Sequence, residues 1–252
     1  MLILSHEPPI LREQVFTPAL VVSHLVYGDN AIIVQLFTRE KGLVAVMVKG
    51  LQSKSKGRQV LLQALSPINI NLQIKEHSEI QSIKEPVLVW SPIRTWTELP
   101  RSTVAMFMAE VLFKTLHKGY VNKRLFDDCF NLVENLETAD KIALLPAVFL
   151  HTLCLHYGFD LDIPEDAGHK EYAFDPTNAL FLTNMTAGCY GPDITRQLFQ
   201  FKKLAVPDIL DLPINASQRN LLTRALLTYL LAQLDENRKV SSHLILESVF
   251  HD

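Results

Sequence analysis

The residues best suited to chemistry in this 252-residue chain are four cations in the run Lys49-Gly50-Leu51-Gln52-Ser53-Lys54-Ser55-Lys56-Gly57-Arg58. Ammonium and guanidinium groups on a small-residue segment can follow a phosphodiester backbone without a regular spacing, and such contacts dominate affinity for nucleic acid. From charge alone, a solvated flexible loop accounts for the run equally well. A nucleotide-hydrolysing phosphate loop does not fit. Its glycines stand five apart and precede Lys-Ser/Thr, whereas Gly50 and Gly57 are seven apart and Arg58 follows. His151 and Cys154, three apart on a predicted helix with His156 beyond, are the only pairing that suggests a metal or a reactive thiol. Structural zinc needs four ligands in close pairs, and no Cys-x-x-Cys exists. A cysteine in a leucine-rich helix reads as a small core residue. The acidic stretch Asp160, Asp162, Glu165, Asp166 lacks the frame of a calcium loop and reads as solvated. There is no Gly-x-Ser-x-Gly elbow and no His-Glu-x-x-His. The expectation is a binding protein with no catalytic residues, no metal and no cofactor.

The wider charge pattern agrees. Net charge is −3, but residues 39–58 carry six positive charges (Arg39, Lys41, Lys49, Lys54, Lys56, Arg58) against Glu40, a basic island on an otherwise acidic chain. Hydrophobic residues make up 48% and charged residues 20%, the balance of a globular protein that folds by burial. Three widely spaced cysteines give no disulfide framework and fit a reducing compartment. The start, MLILSHEPPILREQ, has no basic region before its short apolar run, and no stretch approaches a membrane span. The cytoplasm is expected.

The elements that must carry these residues fall into two groups. Residues 19–49 hold three β-rich runs, ALVVSHL, AIIVQLF and GLVAVMVK, separated by Gly28-Asp29-Asn30 and by Arg39-Glu40-Lys41-Gly42. Ile68 to Lys75 alternates apolar and polar as a half-buried strand, and a fifth run near Glu79–Val89, interrupted by Pro86, is expected at a sheet edge. Five strands in under ninety residues suit a small barrel or sandwich. After Pro100 the period changes. Val104, Phe107, Met108, Val111 and Leu112 mark a helix over about 101–118, Leu125, Cys129, Leu132, Val133 and Leu136 a second, and Asp140–Tyr157 a third, started or kinked by Pro146 and ended by Gly158. Residues 160–191 are aperiodic. Leu221 to Leu234 give the longest amphipathic helix, and Leu244–Phe250 a short last one. The predicted division is 1–90, an N-terminal arm plus a β domain, and 91–252, a helical domain, with the boundary around Val89–Pro100. Beside the polar turn, Tyr27 is the aromatic expected to be exposed for stacking. Phe37 is expected in the core, and His24 is a further stacking candidate.

Tyr27-Gly28-Asp29-x-x-Ile32-Ile33-Val34, Leu36-Phe37-Thr38-Arg39-Glu40-x-Gly42-Leu43, Val48-Lys49-Gly50 and Ser53-Lys54-Ser55-Lys56 together resemble, in order and spacing, the N-terminal signature of the RecO family. Ala105-x-x-x-Ala109-Glu110-Val111-Leu112, Leu125-Phe126, Leu153 with Gly158-Phe159, and Lys239-Val240-Ser241-Ser242 resemble that family's weaker helical pattern. The resemblance implies an α+β chain, an N-terminal five-stranded OB-fold β-barrel followed by an all-helical C-terminal domain. It also implies binding of single- and double-stranded DNA, annealing, docking of the C-terminal tail of single-strand-binding protein, and partnership with RecR in loading RecA. The DNA candidates are then Tyr27, Arg39, Lys41, Lys49, Lys54, Lys56 and Arg58. Lys114, Lys118, Lys123 and Arg124, around the end of the first helix and the start of the second, are the candidates for the acidic tail. Two departures stand out. Residues 159–188 lack the cysteines of the four-cysteine zinc site that many members carry, and about fifteen residues precede the usual start. The alternatives are a general OB-fold adaptor for RNA and, from another class, a thiol hydrolase built on His151 and Cys154.

Overall fold

A computed structural model describes residues 13–28, 31–49, 61–76, 78–167, 170–234 and 239–250. The chain divides into two compact units, Met1–Ser91 with Leu116–Lys123, and Pro92–Thr115 with Arg124–Asp252.

The first unit is a closed barrel of β1 (Glu13–Tyr27), β2 (Ala31–Thr38), β3 (Gly42–Lys49), β4 (Pro67–Ile74) and β5 (Ile80–Leu88), in the order β1-β2-β3-β5-β4. All neighbours are antiparallel except β3 and β5. This is the OB-fold arrangement. Ala19, Val21, Val34, Leu36, Val46, Ile68, Ile70 and Leu72 fill its interior, with Leu61 and Leu62 packed against them. These are alternate positions of their strands, as the period of two requires.

Two bulges let the strands bend around that core. In β1 the register shifts between Val21 and Ser23, so one long strand pairs with β4 over Glu13–Leu20 and with β2 over Ala19–Tyr27. The first strand is therefore longer than the run 19–25 suggested. Residues 1–12 of the expected arm lie outside the described residues. In β5, Glu85 and Pro86 lie opposite Ile70 alone, with Glu85 at φ 49°. The expectation of an edge strand is corrected here. β5 is paired on both sides, and Pro86 is tolerated because the bulge residue needs no ladder hydrogen bond. The outward rows across β1, β4 and β5 are Gln14–Gln73–Ser82, Phe16–Asn71–Lys84 and Pro18–Asn69–Val87.

The segment Leu116–Lys123 belongs to the barrel unit, where Lys118 bridges to Leu43 in parallel. Gly42 makes that approach possible. It sits at φ 65°, and a Cβ there would stand 2.2 Å from the Tyr120 carbonyl oxygen.

The second unit contains α1 (Ile93–Thr97), α2 (Leu99–Thr115), α3 (Lys123–Thr138, from Arg124 onward), α4 (Leu145–His156), α5 (Pro192–Lys203), α6 (Val206–Leu210), α7 (Ala216–Gln233) and α8 (Ser242–Val249). The predicted stripes of α2 and α3 are fully buried. Pro146 lies in the first turn of α4 and marks its start, and Gly158 follows its end at φ 80°. The expectation of an all-helical domain is corrected by β6 (Ala173–Asp175) and β7 (Leu180–Leu182), a two-stranded hairpin in the stretch read as aperiodic. Strands of three residues are too short to show a period.

Candidate nucleic-acid interface

On the outside of β1, β2 and β3 the register aligns Tyr27 with Ala31 and Ala31 with Lys49. An aromatic and a cation thus occupy the two ends of one cross-strand row, two strand spacings or about 10 Å apart. The next row inward is Leu25–Ile33–Met47. Tyr27 is 55% exposed and Leu25 67%, because the β1–β2 hairpin runs past the packed interior. Such a surface offers a ring for a base to stack on and an apolar floor. Leu25 and Met47 stand in apolar runs, and the register places them on the outward face. His24 is also exposed, whereas Phe37 is buried as expected. The β4–β5 loop follows this face around the barrel. There, a groove of about 820 Å³ is lined by Met47, Lys75, Ser78, Gln81 and Ser82 among others. Lys54, Lys56 and Arg58, which continue from the end of β3, lie outside the described residues.

Arg39 and Lys41 stand elsewhere. They occupy the β2–β3 turn, at the opposite end of β2 from Ala31, roughly 23 Å along the strand. Arg39 pairs with Glu40 at 3.2 Å and Lys41 with Glu13 at 2.8 Å. Lys123 binds the other oxygen of Glu40, and its hydrogen bond holds that carboxylate below its ordinary range. Lys118 stands 3.7 Å from Glu79. The barrel unit therefore gathers Arg39, Lys41, Lys118 and Lys123 at one end, joining residues that the sequence assigned to two different roles. Tyr120 and Val121, 45% and 44% exposed, lie between the two lysines in the chain.

Lys114 and Arg124 belong to the second unit. Arg124 is exposed. Lys114, in the last turn of α2, pairs with Glu110 at 2.9 Å and donates to the Lys239 carbonyl. Glu110 in turn accepts from the backbone N–H groups of Ser241 and Ser242 and from the Ser242 hydroxyl, a carboxylate at the N-terminus of α8. Partial burial pushes the Glu110 carboxyl up, but these bonds and Lys114 outweigh it and hold it at about 2. This joins two of the family-like motifs across 131 residues of chain. The folded value lies below the unfolded 4.5, so the stabilisation is present above about pH 4.5 and is lost as pH falls toward 2. Glu110→Gln is expected to cost about 1–2 kcal/mol at pH 7, allowing for solvent at the carboxylate, and little at pH 2.5. Urea unfolding at the two pH values checks it, and an equal cost at both contradicts it.

The two side chains of the thiol alternative, His151 and Cys154, lie on α4. Cys154 is buried and its thiol is pushed up to about 12 by desolvation, and Cys129 is raised further in the same direction. Burial lowers the proton affinity of His151, whose ring meets Phe201 edge-on at 6.0 Å. Cys189 stands 3.0 Å from the Thr186 hydroxyl. Among the described residues no three His, Cys, Asp or Glu gather in a way that could hold a metal. No helix among them is long and apolar enough to cross a membrane.

Comparison with known proteins adds the family context. Residues 13–91 match the family described as Recombination protein O N terminal. A DNA repair protein RecO from Phocaeicola vulgatus is 32% identical over 171 residues, covering 66% of this chain and 69% of that protein. One from Porphyromonas gingivalis is 26% identical over 218 residues, 84% and 87% of the two chains. One from Flavobacterium johnsoniae is 26% identical over 241 residues, 94% and 99%.

Proposed function

The chain belongs to the RecO family of DNA repair proteins, and from that premise we propose that it is a non-catalytic recombination mediator of the cytoplasm. Its role lies in DNA repair and recombination. In this reading single- and double-stranded DNA lie on the outer face of β1–β3 and on the basic segment that follows Lys49. The observation that carries it is the Tyr27–Ala31–Lys49 row, which leads without a break into Lys54, Lys56 and Arg58 in the sequence. Stacking holds bases on Tyr27 while the cations neutralise the backbone, so that two complementary strands approach each other against less repulsion and anneal. Arg39 and Lys41, at the far end of the barrel, extend the path of a longer strand.

The helical unit and the 116–123 segment serve protein partners, namely the acidic tail of single-strand-binding protein and RecR, and through them RecA. Lys118 and Lys123 beside exposed Tyr120 and Val121 have the chemistry such a tail requires, cations for its carboxylates and an apolar surface for its tip. In the helical unit, Lys114 and Arg124 are the further cations that the sequence assigned to such a tail.

Tyr27→Ala tests the stacking step. It is expected to weaken single-stranded DNA binding by about 1–3 kcal/mol, roughly 5- to 150-fold, without changing the salt slope, because a phenol ring releases no counterions. Unchanged affinity in a fluorescence anisotropy titration would exclude Tyr27 from the interface.

A further inference from the structure

We propose that the opposite side of the barrel, the outer face of β1, β4 and β5, is a second track for single-stranded nucleic acid. The inference rests on the reading of β1–β3 as the first track. Its anchor is Phe16, which at 76% exposure is the most exposed large hydrophobic residue among those described. Phe16 is aligned with Asn71, and Asn71 with Lys84, so an aromatic, an amide and an exposed cation follow one another across three strands, about 10 Å from end to end. That order matches the aromatic-to-lysine row of the first face.

The flanking rows add the exposed amide of Asn69, while Gln73 is buried and supports the row from within. Gln73 Nε2 donates to Asn71 Oδ1 at 2.7 Å, which leaves the Asn71 Nδ2 group as a donor for a base edge or a phosphate. No carboxylate occupies an outward position of the three rows, and Glu85 sits in the bulge outside them, so the face suits a polyanion. An exposed phenylalanine on a strand contributes nothing to the core, and base stacking gives it a use that needs no sequence recognition.

Two tracks on one small barrel would hold two strands on the same molecule at once, which raises their effective concentration for annealing. The test uses the full chain and two oligothymidylates, one with a donor dye and one with an acceptor. In the wild type, energy transfer is expected as the second strand joins the first. The Phe16→Ala, Lys84→Glu double variant is expected to bind its first strand within about twofold of wild type, to bind the second at least about tenfold more weakly, and to anneal complementary strands about tenfold more slowly. Because both side chains are exposed, circular dichroism should show an intact fold.

Wild-type energy transfer and annealing rate in the double variant would overturn the second track and leave the first untouched. Equal loss of both strands would mean one continuous site and would also overturn it. A wild type that binds no strand would end both readings.

Discussion

Replacing Arg101 with alanine is expected to destabilise the helical unit by about 3–5 kcal/mol, from carbonyls left unpaired and the cavity of a large buried side chain. Arg101 is 2% exposed, on the first turn of α2. Its guanidinium donates to the carbonyls of Leu136 and Ala139 at the end of α3, and its Nε donates to Glu98 at 2.6 Å. Those carbonyls have no intrahelical partners, and a planar fork is the group that can reach both while their partial negative charge favours a cation. The alanine variant leaves the buried Leu136 carbonyl and the half-buried Ala139 carbonyl without this donor and opens a cavity as well. The neighbouring Glu137 carboxylate meanwhile holds the backbone N–H groups of Arg94 and Thr95, so the two helix ends are fastened from both directions. Arg101→Lys is expected to recover only part of the loss, because an ammonium cannot span the two carbonyls. Urea unfolding monitored at 222 nm, where helix dominates the signal, gives the midpoint. A loss below about 1 kcal/mol for alanine would contradict this account of the residue.

What could be read from the sequence follows from how local each signal is. The alternation in Ile68–Lys75 and the helical stripes of α2 and α3 are local, and each lies where its period placed it. Barrel closure is not local. The parallel pairing of Ala45 with Ile80 joins residues 35 apart in sequence, with no composition to announce it, so Pro86 read as the mark of an edge. The basic island showed the complementary problem. Counting charge over residues 39–58 merges the β2–β3 turn with the end of β3, and an eight-residue strand separates those places in space. The same distance blindness split Arg39 and Lys41 from Lys118 and Lys123, which the barrel unit collects at one end. Glu110 and Ser241-Ser242 were visible as motifs, but their hydrogen bonds were not. Phe16 carried no signal at all, because an aromatic at every other position is what a core strand looks like. Only the register of β1 against β4 turns it outward.

Reversing the charge of three cations of the basic segment, Lys49→Glu, Lys54→Glu and Lys56→Glu together, is the perturbation with the largest expected effect on function. Each lysine that contacts a phosphate releases a counterion, which contributes about 0.7 to the slope of log affinity against log salt for a single strand. Losing three contacts should flatten the slope by about 2, and the added repulsion should lower affinity by about 100-fold or more near physiological salt. Lys49 is the last residue of β3, and exchanging one charged side chain for another at a strand end is expected to change stability little. The reversal of Arg39 and Lys41 makes the matching control at the other end of β2, where both already pair with carboxylates. A smaller effect is expected there.

The most direct measurement is a salt titration of single-stranded DNA binding, by anisotropy of a labelled oligothymidylate, for the wild type and the triple variant side by side. The account predicts a straight, steep line of log affinity against log salt for the wild type and a line displaced to weaker binding and shallower by about 2 for the variant. A wild type whose affinity does not respond to salt, or two lines that coincide, would contradict it.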